Sequence, residues 1–109
     1  METEYIALNL NFKTEYFFKM PKAIFVNRMV NYINFAVTKK GIQLSQIPED
    51  VLYEFLSNAV HTKSEDGEEY VTKTAEEWMD DIFASSILQK SIQVFSDEYA
   101  KVLKQAAKN

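Results

Sequence analysis

Between residues 4 and 20 the chain alternates. The even positions Ile6, Leu8, Leu10, Phe12, Tyr16, Phe18 and Met20 are apolar, with Glu4 and Thr14 the exceptions, whereas the odd positions are mostly polar. Period-2 patterning of this kind predicts a half-buried strand, so residues 1–20 are read as an extended β-arm. The arm has two ways to satisfy its backbone. It folds back as a hairpin, with strands near 5–12 and 14–20, although no Asn-Gly or Asp-Gly pair marks the reversal. Otherwise its edge, with Ile6, Leu8 and Leu10, pairs with another chain or with the same arm of a second copy.

Beyond Pro21 the period changes to that of a helix. Pro21 suits a first turn, Gly41 suits the position past a helix end, and Lys39 and Lys40 complement the negative end of the dipole, which together predict a helix over 21–40. It is apolar almost all round and is expected to be central. A second helix is predicted over 48–61, with Val51, Leu52, Phe55, Leu56, Ala59 and Val60 on one face and Glu49 and Asp50 in the first turn. Residues 61–72, rich in acids with one Gly, read as a loop. Thr74 and Glu77 have capping-box spacing and open a third helical region over 74–107, in which Ser96-Asp97-Glu98 marks the expected break. The fold class expected from these elements is mainly α: a single domain built as a three- to four-helix bundle with an N-terminal β-strand or hairpin arm.

Composition narrows the class of object. The 109 residues are 47% hydrophobic and 14% aromatic, enough for one packed core and far from a disordered composition. No apolar run reaches the length of a membrane span, and the first residues carry acids where a secretory leader carries lysines. The absence of cysteine fits a reducing compartment, so a cytoplasmic location is expected. Twelve Lys and Arg against sixteen Asp and Glu, a net charge of −4, disfavour nucleic acid as a partner. Lys13, Lys19 and Lys22 around Tyr16, Phe17 and Phe18 have the residue types of a stacking platform for single strands, but core packing is the plainer reading. Two glycines in the chain leave no phosphate-binding loop, and no cofactor motif is present.

Catalytic chemistry finds little footing. The one histidine, His61, falls at a predicted helix end, where an imidazole usually complements the dipole, and there is no thiol. Glu76/Asp80 and Glu77/Asp81 are i,i+4 carboxylate pairs of the kind that share a divalent cation, which makes a metal-dependent enzyme the rival reading. The chain lacks the Glu-x-x-His pairs that helical di-metal sites use, so a solvated acidic face is expected there, with no metal and no catalytic residue. The polar positions of the first helix are more telling. Asn27, Asn31, Asn34 and Thr38 form a narrow stripe, and asparagine is a poor helix former. Arg28 and Tyr32 adjoin it, and both types are frequent at interaction hot spots. This stripe, with Arg28 and Tyr32, is the candidate partner-binding surface.

Residues 26–56, VNRMVNYINFAVTKKGIQLSQIPEDVLYEFL, resemble the helix–turn–helix hairpin of the immunity proteins of pediocin-like bacteriocins, chiefly through Asn27, Arg28, Val30, Asn31, Tyr32 and Phe35. The resemblance implies a cytoplasmic four-helix bundle. That family has about two helices ahead of the hairpin where this chain has only an arm, and this chain runs on further beyond it. In size and composition the chain is also similar to accessory proteins of phages and mobile elements: assembly chaperones, inhibitors and antitoxins. The expected function is therefore stoichiometric binding of a protein partner, or self-assembly, without enzymatic turnover.

Overall fold

The computed structural model describes residues 4–38 and 41–107, and of residues 33–38, 41–42 and 106–107 it describes the backbone alone. The arm folds back. Strand β1 (Ile6–Ala7) pairs antiparallel with β2 (Phe17–Phe18) in the register Ile6↔Phe18, and the Leu8 N–H donates to the Tyr16 carbonyl at 2.9 Å. The reversal is a wide excursion rather than a two-residue turn. It starts at Asn9, whose φ of 55° is a left-handed conformation that asparagine tolerates better than most residues.

The second partner of β2 is a segment the sequence pattern assigns to a helix end and a loop. Strand β5 (Val60–Lys63) pairs with β2, Phe18 opposite Val60 and Phe17 opposite His61, and the Lys19 N–H donates to the Ala59 carbonyl. Strand β6 (Tyr70–Val71) pairs in turn with β5, completing a four-stranded antiparallel sheet in the order β1-β2-β5-β6. The expected acidic loop is thus a hairpin. Its turn is held by Ser64 and Asp66: the Ser64 hydroxyl donates to the Asp66 carboxylate, which also accepts from the Glu68 N–H, and Gly67 supplies φ of 74°.

The helices are α1 (Ala23–Ala36), α2 (Glu49–Ala59), α3 (Ala75–Met79) and α4 (Ala84–Ala107). Four helices and a four-stranded antiparallel sheet among the described residues make an α+β fold, which corrects the expected mainly α bundle with one strand arm. The physical reason is that strands of two to four residues are too short to show a period. Val60 also continues the apolar spacing of α2 while its backbone, with φ of −102° and ψ of 128°, has already turned extended.

Helix α1 stops at Ala36 rather than near Lys40. Strands β3 (Val37–Thr38) and β4 (Gly41–Ile42) follow it and pair with each other, so Gly41 stands in a strand; Lys39 and Lys40 lie outside the described residues. The hairpin interrupts the helix–turn–helix that the bacteriocin-immunity resemblance implies. The break in the last helical region falls at Asp80–Phe83 and not at Ser96, which lies inside α4. The Asp81 carboxylate accepts from the Phe83 N–H at 2.9 Å, turning the chain between α3 and α4.

Helix α2 packs against α1, α3 and α4. The core gathers Leu8 and Phe18 from the arm, Met29 from α1, Phe55 and Leu56 from α2, Trp78 from α3, and Ile87, Ile92 and Phe95 from α4. Its centre is aromatic: Phe55 sits between Phe18 and Phe95, at centroid distances of 6.4 and 5.5 Å.

Candidate functional site

The α1 stripe is described only in part. Asn27 and Asn31 are exposed, whereas Tyr32 packs against the core, and the side chain of Asn34 lies outside those described. Arg28 is engaged within the molecule. Its guanidinium donates to both carboxylate oxygens of Glu54, at 2.6 and 2.7 Å, and so ties α1 to α2. The crevice beside it, between Met29 and Phe55, is too narrow to admit water. With the two side chains 51% and 34% exposed, a double-mutant cycle on Arg28→Ala and Glu54→Ala is expected to return a coupling below about 1 kcal/mol that fades as salt is added.

The arm residues are likewise committed inward. Leu8 is fully buried, and Ile6 and Leu10 pack against the same core. What β1 leaves open is its backbone edge.

The opposite face of the sheet carries a second layer that sequence reasoning missed. Each strand, or the residue leading into it, supplies one ring: Tyr5, Phe17, His61 and Tyr70. Tyr5 and Tyr70 stack 3.6 Å apart, Tyr5 meets His61 edge-on at 5.2 Å, and Phe17 meets Tyr70 edge-on at 5.3 Å. Lys19 lies 5.4 Å above Tyr5, and Lys63 lies 5.4 Å above Tyr70. Tyr5 and Phe17 were visible as aromatics on the polar face of the arm, but only the pairing of β5 with β2 brings His61 and Tyr70 to them. The rings turn mainly to one another, which fastens the two hairpins together.

His61 stands just past the end of α2, its Nδ1 3.3 Å from the carbonyl of Ala59, the last residue of that helix, and its ring joins this layer. Burial in this layer holds its pKa below the ordinary 6.5, the Lys19 charge adds to the effect, and the Ala59 carbonyl opposes it. The folded chain thus takes up a proton less readily than the unfolded one. This stability contribution is complete above pH 6.5 and is lost as the pH falls through the folded value. Thermal unfolding from pH 8 to pH 5 should show that slope, and His61→Gln should flatten it. Equal slopes in the two proteins would place His61 outside the layer.

The richest surface lies where α3 meets α4. A groove of about 570 Å³, open to solvent, is lined by Tyr16, Lys73, Glu77, Asp80, Asp81, Ile82 and Phe83. Its polar groups are arranged by local structure. Thr74 and Glu77 form the capping box that the sequence predicts, with the Thr74 N–H donating to Glu77 at 3.0 Å and the Glu77 N–H donating to the Thr74 hydroxyl at 3.2 Å. The Thr74 N–H first, and the Thr74 hydroxyl after it, hold the Glu77 carboxyl below its usual pKa.

Lys73 donates to Asp81 at 2.8 Å and lies 4.7 Å from the Trp78 ring. Partial burial pulls the Lys73 pKa down, but the hydrogen bond and charge of Asp81 outweigh it and raise the value. Burial likewise pushes Asp81 up, and Lys73 together with the Phe83 N–H brings it below its ordinary value. Burial raises the Tyr16 phenol.

Of the i,i+4 carboxylates, the pair Glu77 and Asp81 thus has structural work, Glu77 in a cap and Asp81 in an ion pair and a turn. Among the described residues no group of three or more acidic or His side chains is placed to hold a metal ion. What stands out in the groove is apolar: Ile82 is 88% exposed and Phe83 44%, and Met79, nearby in the chain, is 52% exposed.

No helix among the described residues is long and apolar enough to cross a membrane. Comparison with protein-family models, with curated proteins and with solved structures finds no match to this chain.

Proposed function

We propose that the chain is a protein-interaction module that acts by stoichiometric binding of a protein partner, and that it binds through the α3–α4 junction. One observation carries the reading: three large apolar side chains in sequence proximity, Met79, Ile82 and Phe83, are about half to almost fully exposed beside an open groove. A tight turn between helices has no need of Ile82, since a polar residue would connect α3 and α4 equally well. Apolar side chains gathered on a rimmed concave surface are what a partner covers. The occupied state of Glu77 and Asp81 supports binding over turnover. The α1 stripe, with Arg28 tied to Glu54, is left a lesser part.

The test compares tagged full-length chain with its Ile82→Ser variant in capture from a lysate of the source cell, after circular dichroism has shown equal folding. A protein recovered near one-to-one with the parent and lost with the variant is the expected result. Identical recovery by both would overturn the assignment of the surface.

A further inference from the structure

The groove at the α3–α4 junction does not stand alone. A smaller depression of about 240 Å³, with Leu10, Phe12 and Glu15 in its lining, shares Tyr16 with it. The wall between them is an aromatic contact, Phe12 against Phe83 at 4.5 Å. Two adjoining depressions, with Leu10 and Phe12 in one and Ile82 and Phe83 in the other, thus form a track from the arm hairpin to the start of α4, which suits a chain segment lying along it better than an enclosed small molecule.

The charge along this track has one sign. Its one cation in the larger groove, Lys73, is consumed by Asp81. Glu77 and Asp80 stand exposed on the rim of that groove and Glu15 on the lining of the smaller one, and none of the three has an ion-pair partner among the described residues. Glu77 keeps its charge to lower pH than an ordinary glutamate because of its capping bonds. Asp80 follows the last residue of α3, where the dipole disfavours an anion, so a cation arriving there relieves that repulsion. Behind the lining, Trp78 is fully buried with its indole N–H unpaired among the described residues.

From this complementarity we infer that the track docks a basic amphipathic segment of the partner, with apolar side chains over Ile82, Phe83 and Phe12 and Lys or Arg side chains at Glu77, Asp80 and Glu15. The inference rests on the interaction reading above and names the chemistry of the partner. Apolar burial supplies the affinity, and the acidic rim supplies selection of sign and a salt dependence.

The test uses a fluorescein-labelled amphipathic Lys/Leu peptide, with a Glu/Leu peptide of the same pattern and a Lys/Ser peptide as counter-probes. Binding to the full chain is followed by anisotropy and by emission of Trp78, the sole tryptophan, which lies 4.7 Å from Lys73 and 5.9 Å from Tyr16. The Lys/Leu peptide should bind, weaken with added salt and shift the Trp78 emission, while both counter-probes bind at least about tenfold more weakly.

Ile82→Ser should cost about tenfold by removing apolar burial. The pair Glu77→Gln and Asp80→Asn should also weaken binding, and Gln can keep the capping box. Glu68→Gln with Glu69→Gln, on the acidic β5–β6 turn, should leave it unchanged. Equal affinity for the Lys/Leu and Glu/Leu peptides, indifference to the groove variants, loss on neutralising the β5–β6 turn, or no binding by any probe would each overturn the inference. If a cellular partner is still lost with Ile82→Ser in that case, the interaction reading stands and only its chemistry is wrong.

Discussion

Replacing Phe18 with alanine is expected to destabilise the protein by about 3–5 kcal/mol, a large part of the 5–15 kcal/mol typical of a domain. Phe18 is fully buried, lies between Ile6 and Val60 in the sheet register, and faces Phe55 across the core. Truncation removes its transfer free energy and leaves a cavity that two paired strands and a helix cannot collapse to fill. The melting temperature should fall by roughly 15–25 °C, at about 4–6 °C per kcal/mol for a chain of this size. Thr14→Ala, on an exposed position of the same arm, should change stability by less than about 0.5 kcal/mol.

The same argument applies to removing residues 1–20. That deletion takes Leu8, Tyr16 and Phe18 from the core and strips β5 of one of its two neighbours, so it should abolish cooperative unfolding. If the truncated chain still melted cooperatively, or if Phe18→Ala cost under about 1 kcal/mol, the arm would be an appendage and the sheet order wrong.

How far the sequence carried this picture depends on element length. The arm's alternation was legible over seventeen residues, and its even positions do face the core: Leu8, Tyr16 and Phe18 are buried, with Ile6, Leu10, Phe12 and Met20 packed against them. The capping box at Thr74 and Glu77 was legible because it is a local hydrogen-bond pattern with fixed spacing. The partner strands were not. Val60–Lys63 holds four residues, and its first continues the apolar spacing of α2, so nothing local separates strand from helix end.

The candidate site divides along the same line. Arg28 stood out for its side-chain chemistry, but only the packing of α1 on α2 shows Glu54 as its partner. Ile82 falls within 74–107, the region read as helical with its break at Ser96. Its exposure follows from the turn at Asp81, which re-phases the helix. The signal in the sequence is Asp81 two residues before Phe83, the spacing of an Asx turn that competes with helix, whereas the expected break falls at Ser96-Asp97-Glu98.

The position of that break gives the second large effect. Ser96→Pro is expected to cost about 3 kcal/mol or more, because proline in a helix interior removes the N–H donor and clashes with the carbonyl four residues before it. Ser96 lies in the middle of α4, which runs 24 residues, about 36 Å at 1.5 Å per residue. It is flanked by Phe95, which is buried against Phe55, and by Tyr99, which stacks on Phe95 at 5.9 Å. A kink at this point would therefore draw an aromatic out of the core as well as break a hydrogen bond. Ser96→Ala, which keeps the helix and improves its propensity, should be neutral or slightly stabilising, and the pair of variants separates backbone from side chain. Urea unfolding of both measures the difference. A Ser96→Pro protein as stable as its Ser96→Ala counterpart would mean that one helix ends and another begins at Ser96. The turn at Asp81 would then lose its place as the point where the chain re-phases and brings Ile82 to the surface.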